Sequence, residues 1–143
     1  MTTTPPEPQA IAEREICGLV NGLAQQIADH VRRRAVTLNL TAAQATALRE
    51  MTGPMTMREL AERMGCEPSN ATFVIDKLEK QNLVERRAHP TDRRARHLIL
   101  TPEGHDLRGR LLGLLAQESP LAALSPEQQH SLQVLLEQAI TPP

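Results

Sequence analysis

The stretch PSNATFVIDKLEKQNLVERRAHPTDRRARHLILTPEG, residues 68–104, contains the segments that decide the fold. Its first part has apolar residues at helical spacing and starts with proline, which fits the first turn of a helix. Residues 84–87 and 96–100 are short, β-forming segments that flank the turn-forming sequence HPTD at 89–92. The stretch therefore predicts a helix over residues 68–81, followed by a β-hairpin with a basic tip.

Capping signals mark the helices on either side of this stretch. Capping boxes, with Gln or Glu three residues after the cap, begin at Thr41, Thr56 and Ser125, and Thr101-Pro102 opens another helix. The predicted order is one long helix, three short helices, the hairpin and two helices. This order predicts a mainly α fold with a small β-hairpin (α+β). It is the winged helix-turn-helix arrangement, with long N- and C-terminal helices for dimerisation.

The chain divides into three predicted regions. Residues 1–8, rich in proline and threonine, are expected to be a disordered tail. Residues 9–36 and 102–141 are expected to form a helical dimerisation region, because their apolar stripes exceed what one small domain can cover. Residues 37–101 are expected to form the winged helix-turn-helix DNA-binding domain.

Composition excludes several classes of function. Phe73 is the only aromatic residue, so a stacking platform for single-stranded nucleic acid is not expected. No apolar run approaches the length of a membrane span, and the N-terminus shows no secretory signal, so we expect a cytoplasmic protein. Cys17 and Cys66 form neither a zinc motif nor a disulfide framework, and the five histidines are dispersed. We therefore predict no cofactor, no metal and no membrane partner.

Positive charge is concentrated in the middle of a nearly neutral chain. The formal net charge is −1, yet residues 55–101 carry nine arginines and lysines against seven acids. The positive charge peaks over residues 86–96. Such a local basic patch suits a polyanionic partner, although a solvated charged turn would have the same composition.

The helix over residues 68–81 has one polar face that suits the major groove of DNA. Ala71, Val74, Ile75 and Leu78 define its buried side. The opposite side carries hydrogen-bonding and cationic groups, and Asn70 can bond adenine at two positions. The isolated Phe73 could pack on a thymine methyl group or on the stem of Lys77. The candidate DNA contacts on this helix are Ser69, Asn70, Thr72, Phe73 and Lys77.

The hairpin and the preceding helix supply further candidates. Arginines at a hairpin tip can enter the narrow, negative minor groove, and Asp92 would pair with a nearby arginine to fix its direction. Thr56 and Arg58 lie at a predicted helix N-terminus, where phosphate is favoured. The candidate contacts on the hairpin are Arg86, Asp92, Arg93, Arg94 and Arg96.

These motifs resemble the MarR family of bacterial transcription regulators. PSNATFVIDKLEKQNLVERR is similar to that family's recognition helix and first wing strand, and DRRARHLILTPEG to its wing signature. The signature residues are Asp92, Arg94, Leu100, Thr101, Pro102 and Gly104. The resemblance implies a homodimer on double-stranded DNA with a pseudo-palindromic operator. It also implies a repressor released by a small-molecule effector.

The chain departs from the family pattern in ways that leave alternatives open. Phe73 stands where members often have a polar or basic residue, and the absence of Tyr and Trp disfavours an aromatic-lined effector pocket. Cys17 lies near the reactive cysteine of peroxide-sensing members, so it is the candidate redox residue; a small apolar core residue is the alternative. A winged-helix protein-interaction module without DNA binding is a further alternative. No catalytic pair or phosphate loop indicates an enzyme.

Overall fold

The order of helices and strands follows the sequence-based prediction in this computed structural model, which describes residues 3–5 and 7–141. The elements are α1 (Pro8–Val36), α2 (Ala42–Glu50), α3 (Met57–Met64), α4 (Pro68–Lys80), β1 (Val84–Ala88), β2 (Arg96–Leu100), α5 (Pro102–Ala116) and α6 (Pro126–Ile140). Helix α1 begins one residue earlier than predicted, because proline is well accommodated in a first helical turn. Residues 1, 2 and 6 of the predicted tail lie outside the described residues, and residues 3–5 and 7 have no helix or strand.

The contacts divide the chain into two units. One unit runs from residue 28 to residue 117 and contains α2 to α5, the hairpin and the C-terminal part of α1. The other unit contains the chain up to residue 27 and from residue 118 onward. The boundary differs from the predicted division, which assigned all of α1 and α5 to the dimerisation region.

An aliphatic core holds the larger unit together. Each of its helices and both strands contribute side chains that are almost completely removed from solvent. Branched aliphatic and methionine side chains fill this core, as expected for a chain whose one aromatic residue lies elsewhere. The fully buried large side chains are Leu48, Met51, Met55, Leu60, Ile75, Leu78, Val84, Leu98 and Leu111.

Most of the predicted helix caps are present. Thr41 and Ser125 form complete capping boxes with Gln44 and Gln128. The predicted box at Thr56 is only half formed: its hydroxyl accepts the Glu59 N–H and donates to the Glu59 carboxylate, both at 3.2 Å. That carboxylate therefore bonds the hydroxyl instead of the cap's own N–H.

The end of α4, the end of the hairpin and the start of α5 meet at one tight junction. The Thr101 hydroxyl donates to the Asn82 carbonyl at 2.7 Å and accepts the Gly104 N–H at 3.0 Å. The Thr101 N–H donates to the Leu83 carbonyl at 3.1 Å. A Cβ atom on Gly104 would lie 2.1 Å from that carbonyl oxygen, so only glycine fits. Asn82 takes a φ of 61°, as expected for a left-handed residue at a helix end.

The hairpin is antiparallel and in simple register, with Val84 opposite Leu100 and Ala88 opposite Arg96. A third segment, which sequence reasoning missed, joins it through a bridge between Met55 and Leu98. The Leu98 N–H donates to the Met55 carbonyl at 2.7 Å. This bridge attaches the inner strand of the hairpin to the segment that leads into α3.

Two arginines cap the C-terminus of α2, where helix carbonyls lack intrahelical partners. Arg108 on α5 donates from Nε to the Leu48 carbonyl at 2.8 Å and from Nη2 to the Arg49 carbonyl at 2.9 Å. Arg63 on α3 donates to the Glu50 carbonyl at 3.2 Å. Both contacts anchor α2 to neighbouring helices. Because these two guanidinium groups are bonded within the chain, they are less available to bind a partner.

The smaller unit exposes large apolar side chains. On its part of α1, Leu19 is 74% exposed, and Ile140 on α6 is 78% exposed. No described residue of α6 is buried. The apolar stripes that the sequence shows on these helices are therefore uncovered in the single chain.

The tight junction makes a stability prediction. Gly104→Ala should lower the free energy of unfolding by about 1–3 kcal/mol, because the added methyl group collides with the Leu83 carbonyl. Gly109→Ala is the control: on the same helix, an added methyl group would meet no other atom within 4 Å, and the change should raise stability by up to about 1 kcal/mol. Urea denaturation at one protein concentration measures both, and equal effects would contradict the collision.

Candidate nucleic-acid interface

Helix α4 presents the face that the sequence predicts. Its inner side chains, Ala71, Val74, Ile75 and Leu78, are buried against the core. The candidate contacts Ser69, Asn70, Phe73 and Lys77 are exposed, and Thr72 is half-buried. Helix α3 precedes α4 and forms the helix-turn-helix with it. Gly65 is the C-cap of α3 and takes a φ of 68°. The polar groups of α4 are thus available to a partner outside the chain.

Three of these side chains are partly engaged in contacts within the chain. The Lys77 ammonium lies 4.5 Å from the centre of the Phe73 ring, a cation–π contact. Phe73 is nevertheless 60% exposed, so Lys77 covers only part of the ring and the remainder stays open to a partner. The Thr72 hydroxyl donates to the Pro68 carbonyl at 2.9 Å, which leaves it an acceptor only.

Side-chain atoms that accept backbone N–H groups stabilise the turn at the hairpin tip. The His89 Nδ1 atom accepts the backbone N–H groups of Thr91 at 3.2 Å and Asp92 at 3.0 Å. The Asp92 carboxylate accepts the Arg94 N–H at 3.0 Å. An aspartate carboxylate commonly accepts a hydrogen bond from the backbone N–H two residues ahead. That N–H lies closer to Asp92 than the end of an arginine side chain needs to. The prediction that Asp92 pairs with an arginine side chain is therefore wrong.

The three arginines of the tip point their charge into solvent. Arg93, Arg94 and Arg96 are exposed, and no carboxylate in the described part of the chain pairs with them. His97 contacts His89, with ring centres 4.3 Å apart, so the histidines support the turn while the arginines remain available. The tip is thus an ordered turn with three uncompensated cations.

Arg86 behaves differently from the tip arginines, although the sequence placed it among the DNA contacts. Its Nη2 donates to the Asp76 carboxylate of α4, and its Nε lies 3.6 Å from a Glu79 carboxylate oxygen. The neighbouring Arg87 pairs with Glu85 on its own strand, at 3.0 Å. Sequence reasoning missed the role of Asp76 and Glu79, because their partner is set by how the hairpin packs on α4.

The N-terminus of α3 adds one exposed cation. Arg58 is exposed, while the Thr56 hydroxyl is already used in both directions by Glu59. A phosphate contact by Thr56 would require its hydroxyl to leave this cap.

A groove of about 360 Å³ lies between α3, α4 and the hairpin. Three arginines, Arg58, Arg86 and Arg96, line it together with Thr56, Met57, Thr72, Ala95 and Leu98. The Arg86 Nε atom is buried there without a hydrogen-bond partner. Cations and apolar side chains thus meet in one concave surface of the larger unit.

Other candidate chemistry finds less support. Cys17 is exposed in the single chain, and Cys66 is half-buried, so a redox residue and a small apolar residue both stay predictions for Cys17. The described residues contain no group of three or more potential metal ligands. No helix in the described part of the chain is long and apolar enough to cross a membrane.

Comparison with known proteins gives consistent matches. Residues 40–95 match the model of the MarR family. The uncharacterized HTH-type transcriptional regulator YkoM of Bacillus subtilis is 33% identical over 89 residues, which cover 61% of this chain and 58% of YkoM. The transcriptional repressor MprA of Escherichia coli is 43% identical over 54 residues, covering 38% of this chain and 31% of MprA. The chain thus spans 58% of the length of YkoM and 31% of the length of MprA.

Solved structures match most of the chain. A mutant of the MarR protein of Escherichia coli in complex with operator DNA has a TM-score of 0.68 at 22% identity, covering 89% of this chain and 94% of that one. BpsR of Bordetella bronchiseptica, whose DNA binding is regulated by 6-hydroxynicotinic acid, has a TM-score of 0.71 at 21% identity, covering 89% and 99%. At these identities the likeness establishes the fold.

The hairpin tip makes a prediction about backbone order. In Asp92→Ala, the Arg94 N–H loses its acceptor, so its amide hydrogen should exchange with solvent several-fold faster. Hydrogen exchange followed by NMR measures this. Glu85→Gln is the control, because Glu85 bonds only the Arg87 side chain in the same hairpin. Unchanged exchange at Arg94 would show that the carboxylate does not order the turn.

Proposed function

We propose that this chain is a member of the MarR family and a sequence-specific regulator of transcription that binds double-stranded DNA as a homodimer. The observation that carries the proposal is the arrangement within the larger unit: an exposed polar face on α4 next to a hairpin tip whose three arginines pair with no carboxylate of the described residues. A major groove admits a helix, and the adjacent minor groove admits arginine side chains. Repression is the mode of action we infer, as in MprA.

The residues divide by role in this proposal. Asn70 reads adenine, and Ser69, Thr72 and Lys77 contact bases or phosphates along the groove. Phe73 offers its open ring surface to a thymine methyl group. Arg58 and the N-terminus of α3 hold phosphate.

The hairpin tip supplies the second set of contacts. Arg93, Arg94 and Arg96 enter the minor groove, whose negative potential attracts weakly hydrated guanidinium groups. Asp92 acts indirectly, by holding the backbone of the turn that carries Arg94.

Dimer formation explains the uncovered helices of the smaller unit. Large apolar side chains that remain exposed on α1 and α6, among them Leu19, Leu135 and Ile140, indicate a protein interface. A second copy of the same chain would cover both stripes, and two-fold symmetry would then match a pseudo-palindromic operator.

We further propose that a small organic anion releases the DNA. The groove beside the hairpin combines arginines with apolar side chains, a lining that suits an aromatic carboxylate. Two of its arginines, Arg58 and Arg96, are also proposed DNA contacts, so an occupant would compete with DNA for these two cations. A redox response through the exposed Cys17 is the alternative mode of release.

The remaining alternatives are less consistent with this surface. A protein-interaction module would need an apolar or acidic docking face. The exposed side of α4 offers hydroxyl, amide and ammonium groups beside the single apolar residue Phe73, and its carboxylates Asp76 and Glu79 face Arg86. We infer that the protein acts by binding and not as an enzyme, and that it works in the cytoplasm, where DNA is available. A gel shift with genomic fragments separates a DNA regulator from an interaction module.

The division of roles predicts different mutant phenotypes. Arg94→Ala should weaken binding on all sequences, because a minor-groove cation contributes mainly electrostatically. Asn70→Ala should change base preference at one position in each half-site by about 1–3 kcal/mol. Quantitative binding to a selected genomic fragment and its single-base variants measures both effects. Arg110→Ala, an exposed arginine on α5, is the control. Equal losses on every sequence from Asn70→Ala and Arg94→Ala would contradict the division.

The proposed release mechanism predicts selectivity for charge. Adding 6-hydroxynicotinic acid should release bound DNA in a concentration-dependent manner, because its carboxylate pairs with arginines of the groove. Nicotinamide, a similar ring without the negative charge, is the control and should leave the complex intact. Fluorescence anisotropy of labelled DNA measures release, and equal release by both compounds would rule out recognition of the anion.

A further inference from the structure

Arg86 joins the first strand of the hairpin to the recognition helix. From β1 its guanidinium donates to the Asp76 carboxylate of α4 and approaches Glu79, one turn further along, at 3.6 Å. Its side chain is 30% exposed, whereas that of Arg87, the next residue on the strand, is 64% exposed. Arg86 therefore faces the helix, and Arg87 faces away from it.

We propose that Arg86 is a positioning residue that fixes the hairpin relative to α4, and that it is not itself a DNA contact. The inference rests on the proposed function, since it concerns how two DNA-binding elements are held in register. A planar guanidinium has several donors in fixed directions, so one side chain can bridge two carboxylates. Without the Arg86 bridge, the hairpin would be held only at its base. The direction of its tip would then depend on the two strands alone.

The bridge has an electrostatic role as well. Asp76 and Glu79 lie on the exposed side of α4, where unpaired carboxylates would repel the phosphates of a bound duplex. Arg86 compensates their charge from within the protein. The tip arginines have no such partner among the described residues, which leaves them for the nucleic acid.

A lysine substitution separates positioning from direct contact. Lysine keeps the positive charge and serves well at a phosphate, but a single ammonium on a flexible stem replaces the guanidinium fork poorly. If Arg86 positions the hairpin, Arg86→Lys should weaken operator binding roughly tenfold, nearly as much as Arg86→Gln. If Arg86 contacts phosphate, Arg86→Lys should bind like the unmodified protein.

A second comparison tests whether the effect passes through the carboxylates. In a chain that carries Asp76→Asn and Glu79→Gln, there is nothing for residue 86 to bridge, so Arg86→Lys should have little further effect. Arg87→Lys and Arg87→Gln are the matched controls and should change affinity less than about twofold, as for an exposed pair. Hydroxyl-radical footprinting adds a positional readout: Arg86→Lys should lose protection where the hairpin lies while retaining it over the major groove read by α4.

The experiment uses the full chain and a genomic fragment selected by the unmodified protein. If that protein selects no fragment, the proposed function fails and this inference fails with it. If it binds and Arg86→Lys binds equally well with an unchanged footprint, only the positioning role is overturned. Arg86→Lys effects that persist undiminished without the two carboxylates would also overturn it. Thermal unfolding of each variant ensures that the comparison is made between folded proteins.

Discussion

The close approach of the Gly104 backbone to the Leu83 carbonyl is the constraint on which the larger unit depends. At this point the last turn of α4, the end of β2 and the first turn of α5 share one set of hydrogen bonds, centred on Thr101. Asn82 supplies the left-handed residue that lets the chain leave α4 and enter β1. Because the base of the hairpin is tied to the end of α4 here, the two elements of the proposed DNA interface are held as one surface.

The surface is basic although the whole protein is close to neutral, and the contacts explain how this is achieved. Four acids near the proposed interface have a partner within the chain: Asp76 and Glu79 face Arg86, Asp92 accepts a backbone N–H, and Glu59 bonds Thr56. The tip arginines, in contrast, lack carboxylate partners in the described chain. The local electrostatic field therefore depends on which charges are compensated within the chain. Counting the charged residues in the sequence predicts only part of this field.

The regular parts of the fold could be predicted from sequence because their signals are local. Helical spacing of apolar residues identified the buried side of α4, and the capping sequences at Thr41, Thr101 and Ser125 located helix starts to within a residue. The exposure of Ser69, Asn70 and Lys77 follows from the same periodicity. Their contacts with DNA stay predictions that binding experiments must test.

The features that sequence reasoning missed depend on contacts between distant segments or on a choice between bonding partners. The bridge from Met55 to Leu98 and the capping of α2 by Arg108 join residues more than forty positions apart. Asp92 could have bonded either a side chain or the backbone, and the nearer backbone N–H prevailed. Arg86 resembled the tip arginines in sequence, and only the packing of β1 against α4 distinguishes it.

The aliphatic core has a consequence for how this molecule can be observed. With no tryptophan or tyrosine, and with its one phenylalanine on the outer face of α4, the folded interior contains no chromophore of its own. Tryptophan and tyrosine fluorescence therefore cannot report on its folding, and its concentration cannot be determined from the ultraviolet absorbance of these two residues. The same property is an opportunity, because a single tryptophan introduced at a chosen site would report on its surroundings without any background.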